Sequence, residues 1–118
     1  MRRRETWIGI RIVNERESAA LNTRYRRKPK STNVLAFPFE PPVGVASVIL
    51  GDLVICAPVV NREAKAKSLA PAAHWAHMVV HGIMHLRGYD HQSRREAAIM
   101  ERKEAAVLAK LGFADPYV

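Results

Sequence analysis

Three of the chain's five histidines fall within HGIMHLRGYDH, residues 81–91. A neutral imidazole nitrogen binds divalent ions, so such a cluster points to a metal. His81 and His85 are i and i+4, a spacing that on a helix puts both side chains on one face, within reach of one ion. Gly88, three residues on, is placed to end that helix in a left-handed turn and fold His91 back toward the same point. Three imidazoles leave the fourth position of tetrahedral Zn²⁺ for water or substrate, the layout of a catalytic centre. A structural zinc usually has four protein ligands, often cysteines, and this chain has only Cys56. A zinc so held lowers the pKa of its water to near 7 and polarises a phosphoryl or carbonyl oxygen, so the predicted chemistry is hydrolysis. The competing reading, histidines that cap and pack a helix end, explains neither the full spacing nor its glycine.

His74 and His77 fall near the same stripe. A fourth helical ligand would close the open position, so both are expected in the core or, as for His77, supporting the ligands from behind. Asp90 precedes a ligand and either orients a histidine or serves the turn; the sequence leaves both open. The spacing of the histidines also matches a zinc-peptidase pattern whose second residue is glutamate, but here that residue is Gly82. Met100 lies in a predicted helix, where it cannot form the methionine turn of those enzymes, so peptide cleavage by that route is not expected.

Around these residues the periodicities predict the elements. TWIGIRIV, residues 6–13, alternates Ile8, Ile10 and Ile12 against its neighbours, as a strand with one buried face does. Asn14 with Glu17 opens a helix running toward Arg26, and KPKST breaks it. VLAFPF (34–39) and ASVILGDLVI (46–55) read as strands, the first with an edge-tolerated Pro38. Helices follow over about 58–68, 71–87 and 94–111, the last between a Ser93/Glu96 capping box and Gly112. Strands first and helices later predict an α+β fold: a small mixed β-sheet with helices packed on one face, and the metal site at the C-terminal end of a central helix.

At 118 residues the chain fits a single domain spanning 1–118. No apolar run approaches a membrane span, no secretory signal is visible, and a lone cysteine makes no internal disulfide, so a cytoplasmic location is expected, with no membrane partner. The net charge of +8 is uneven: residues 1–30 hold ten Lys/Arg against three Glu, the rest nine against eight. That asymmetry fits a polyanionic partner and equally a solvated, solubilising surface.

HGIMHLRGYDH resembles the H-G-x-L-H-L-x-G-Y-D-H signature of the YbeY endoribonucleases, with Met84 for the usual leucine. The likeness extends through LNTRYRRKPKSTNVLAFPF, LGDLVIC, AHWAHMVVHG and LGFADPYV. It implies a zinc-dependent, single-strand-specific endoribonuclease of ribosomal RNA processing, maturing the 3′ end of small-subunit 16S RNA and serving ribosome quality control. It further implies one zinc ion on His81, His85 and His91, a functional cation at Arg26, and the small ribosomal subunit with its proteins as partners. A guanidinium grips phosphate with two parallel hydrogen bonds, which gives Arg26 a reason, but only the resemblance singles it out. Arg24, Arg27 and Lys28 are expected to line the RNA path or to face water.

Pro29, Ser31 and Ala36 depart from the family's loop, so its geometry is open. Relatives carry some thirty more residues before TWIGIRIV, typically a strand and a helix. Lacking these, the chain is expected to expose a sheet edge and an apolar face, and to form a homodimer or represent a shortened product. Alternatives of other classes are a metal-stabilised RNA- or ribosome-binding module and a metallohydrolase with a non-RNA substrate. Tyr89, beside the glycine turn, is expected to pack on the helix end rather than stack on a base.

Overall fold

A computed structural model describes residues 5–118; Arg2, Arg3 and Arg4, part of the basic N-terminal third, lie outside them. The element order is β1 (Trp7–Val13), α1 (Glu15–Arg26), β2 (Val34–Pro38), β3 (Ile49–Cys56), α2 (Ala57–Ala66), α3 (Pro71–Leu86) and α4 (Arg94–Lys110). The three strands form one mixed sheet in the order β1-β3-β2, with β1 parallel and β2 antiparallel to β3. Pro38 therefore ends an edge strand, where its missing N–H disturbs no inner ladder. The fold is the expected α+β arrangement.

Each helix starts where local chemistry allows. Asn14 accepts a hydrogen bond from the Glu17 N–H (2.9 Å) and Ser93 one from the Glu96 N–H (3.1 Å), satisfying donors that helix N-termini leave open. Pro58 and Pro71 stand in the first turns of α2 and α3, where a missing N–H costs nothing. The capping box of α1 is only half made, because Glu17 reaches Arg11 instead (2.7 Å).

The centre of the molecule is α3. Its Met78 and Leu86 pack with Val34, Leu53 and Ile55 of the sheet and Val60 of α2. Fully burying side chains of this kind contributes roughly 1.5–3 kcal/mol each, enough to fix α3 on β2 and β3. On its outer side Val80 and Met84 meet Met100 and Leu108 of α4, and Tyr89 packs into that same cluster, as expected. Helices are not confined to one face: α1 lies on the opposite one, where Leu21 joins Val13, Leu35, Val54 and Cys56. Cys56, at the β3–α2 junction, is buried and its thiol is free.

Strand β1 differs from its expected burial. Ile10 and Ile12 pair in register with Leu53 and Ile55, so they share the α3 face, yet they are 51% and 62% exposed. The buried residue is Val13, on the α1 side. Periodicity identified which side chains share a face, but α3 covers β2 and β3 while β1 forms the outer edge.

Candidate metal centre

His81 and His85 occupy the last turns of α3, and their Nε2 atoms stand 3.2 Å apart. Beyond the helix Gly88 takes a φ of 93°, a conformation that side-chain-bearing residues rarely adopt, and the Tyr89 N–H donates to the Met84 carbonyl (3.1 Å). The chain reverses there, and Asp90 Oδ1 accepts the His91 N–H at 2.7 Å. One ligand atom from each of His81, His85 and His91 then lies within 4.8 Å of the others. Two nitrogens on one tetrahedral zinc, each about 2.0–2.1 Å from it, stand roughly 3.3–3.4 Å apart, so the His81–His85 spacing fits a shared ion. Burial, then the neighbouring charges of His81 and His91, lowers the pKa of His85, favouring the neutral imidazole that a metal requires.

The α3 turn carrying these histidines lies tight on the sheet. A Cβ at Gly82 would stand 2.6 Å from Leu53 Cδ2, so the glutamate of the peptidase pattern has no room there.

Behind His81 is a residue that sequence reasoning missed. Glu104 of α4 is 0% exposed, and its Oε2 accepts from His81 Nδ1 at 2.8 Å. Its Oε1 accepts from His77 Nε2 (3.0 Å) and from the Tyr117 hydroxyl, while His77 Nε2 and the Tyr117 oxygen are 2.9 Å apart. Burial alone would raise the Glu104 pKa, but hydrogen bonds from His77, His81 and Tyr117 outweigh it and hold the value at about 2. Burial and the adjacent carboxylate push the Tyr117 phenol upward. The acid is therefore ionised and the phenol protonated near neutrality.

The remaining predicted residues divide. Arg26 lines a cleft of about 750 Å³ together with His81, His85, His91, Asp90 and Tyr25. Arg24, Arg27 and Lys28 are absent from that wall: the Arg24 guanidinium lies over the Tyr25 ring (5.4 Å), and Arg27 caps α1 in a left-handed conformation. Asp90 serves the turn, bonding a backbone N–H rather than an imidazole. His77 hydrogen-bonds Glu104 rather than His81, His85 or His91. His74 is a core residue whose Nε2 is 3.0 Å from Glu63 Oε1, and Asn33 binds that same carboxylate.

Two buried polar residues of α1 hold the loop that follows Arg26. The Asn22 amide donates to the Lys30 carbonyl (2.9 Å), and Ser18 Oγ bonds both the N–H and the carbonyl of Thr32 (3.0 and 3.1 Å). These bonds strap the KPKST loop along the helix, and its last residue Thr32 with the following residues Asn33 to Pro38 lines the same cleft as the histidines.

A family model described as endoribonuclease YbeY matches residues 2–112. Endoribonuclease YbeY of Methylococcus capsulatus is 60% identical over 110 residues, covering 93% of this chain and 73% of that one. That of Nitrosococcus oceani is 54% identical over 112 residues, with the same two shares covered. The solution structure of TM1509 from Thermotoga maritima superposes with a TM-score of 0.55 at 24% identity, over 95% of this chain and 78% of that one, a likeness of fold. With the family match running over nearly its whole length and relatives at more than half identity, this chain belongs to the YbeY endoribonuclease family.

Proposed function

We propose that the cleft holds one zinc ion on His81, His85 and His91 and cuts single-stranded RNA, chiefly ribosomal RNA. Maturation of the 16S 3′ end and ribosome quality control are the corresponding cellular roles, in the cytoplasm, with the small ribosomal subunit and its proteins as partners. The observation that supports this most is that three converging imidazoles and one arginine share a cleft. When bound, zinc supplies Lewis acidity toward a phosphoryl oxygen.

The chain's own groups do the rest. Among the described residues Arg26 has no ion-pair partner, so its guanidinium is available to grip a phosphate and to offset charge that grows during cleavage. Arg24, Arg27 and Lys28, at the same helix end but outside the wall, attract the backbone of a longer strand without reading its bases. A second copy of the chain is a further partner, through the uncovered edge strand β1.

Elemental analysis with an assay on a folded RNA bearing a single-stranded tail tests this reading. One zinc per chain and cuts in the tail are expected. His81→Ala loses both, while Arg26→Glu keeps the zinc and cleaves at least about 100-fold more slowly. Unchanged cleavage by Arg26→Glu overturns the phosphate-clamp role. A zinc-loaded chain that binds ribosomes but leaves RNA intact overturns the nuclease reading in favour of a binding module.

A further inference from the structure

We propose that Glu104 and Tyr117 are positioning residues for the metal centre, which fix the ring orientation and tautomer of His81 and make the C-terminal segment part of the site. This rests on the metal reading above. With His77 and Tyr117 directed at Oε1, Oε2 is the oxygen facing His81 Nδ1 (2.8 Å), a contact in which the imidazole donates from Nδ1 and Nε2 is left a bare lone pair. That lone pair is the one 3.2 Å from His85 Nε2. An imidazole whose second nitrogen is held by a carboxylate is a more basic and better oriented ligand, and losing such a partner typically costs 10–100-fold in metal affinity.

The carboxylate is itself held from the far end of the chain. Tyr117 donates to Glu104 Oε1, and His77 Nε2–H is shared between that oxygen and the phenol oxygen, so the phenol, His77 Nε2 and both carboxylate oxygens have partners. Two anchors seat the tyrosine. Phe113 packs against the α3–α4 core, and Asp115 Oδ1 accepts the Tyr117 N–H at 2.8 Å. His77, His81 and Glu104 also meet the geometric requirement for a second ion. Their mutual hydrogen bonds instead assign them to a support that buttresses one ion.

The test measures zinc affinity of the full chain by chelator competition at neutral pH, with imidazole nitrogen NMR of the zinc-loaded protein. Wild type is expected to bind one zinc per chain, with His81 coordinating through Nε2 and keeping its proton on Nδ1. Glu104→Gln should weaken zinc about 10–100-fold and shift the His81 Nδ1–H signal, and Tyr117→Phe should do both to a smaller degree. Affinities unchanged in both variants overturn the proposal, as do coordination of wild type through His81 Nδ1 or two ions per chain. Should Glu104→Gln fail to fold, Tyr117→Phe, whose ring is half-exposed, carries the measurement. Wild type without zinc affinity would overturn the metal reading itself, and this proposal with it.

Discussion

Glu104 has no water to turn to when its partners are removed, so it links pH to the stability of the metal-free chain. Its pKa of about 2 in the fold lies below the ordinary 4.5, so the unfolded chain takes up this proton first as pH falls. The stabilisation is complete above about pH 4.5 and is lost as pH drops toward 2. At about 1.36 kcal/mol per unit it amounts to roughly 3 kcal/mol. Urea unfolding of the metal-free chain across that interval should show the loss, and Glu104→Gln should remove most of that share of the slope. Gly82 gives a second prediction: Gly82→Ala sets a methyl against Leu53 in a filled core, costing about 1–3 kcal/mol, and Tm should fall with the α3 helix intact by circular dichroism. The convergence of His81, His85 and His91 was legible because four-residue spacing on a helix, followed by a glycine turn, brings the rings together. Glu104 was legible in principle, since Met100, Glu104 and Leu108 form one buried stripe at intervals of four. It went unread because a carboxylate among Arg102, Lys103 and Glu101 looks like part of a solvated face. Tyr117 carried no signal, because its partner His77 is 40 residues away.

Among the elements, α1 carries Arg26 and α3 carries His81 and His85, so under the proposed function the two walls of the cleft should fail separately. Asn22→Ala frees the Lys30 carbonyl and loosens the loop strapped to α1, at a cost of about 1–3 kcal/mol. Cleavage should fall while zinc affinity, measured by chelator competition, stays at the wild-type value; an equal loss of both would show that the walls are coupled. Helix starts were the best-read features, because Asn14, Ser93, Pro58 and Pro71 act within one turn of themselves. The apolar pattern starts β3 three residues early, since Ala46 and Val48 continue it without joining the strand. Layering was the part that could not be read. Which helix covers which face depends on contacts between segments far apart in sequence, and it moved α1 to the opposite side and left most of β1 uncovered.

For the whole molecule, the uncovered edge has a measurable outcome. Trp7, Ile10 and Ile12 are exposed on an outer strand, and a sheet edge with apolar neighbours invites pairing with another chain. Light scattering after size exclusion should give a mass above 13.3 kDa that rises with concentration, and Ile12→Lys should bring it toward the monomer. A wild-type mass that stays at the monomer value at every concentration would refute the pairing. Another property of the molecule follows from Cys56, the sole thiol, enclosed where the sheet hands over to the first of the last three helices. An alkylating reagent reaches that sulfur only when the joint parts, so the pace of labelling in native buffer is a clock for spontaneous breathing of the sheet, carried by the chain without any added probe.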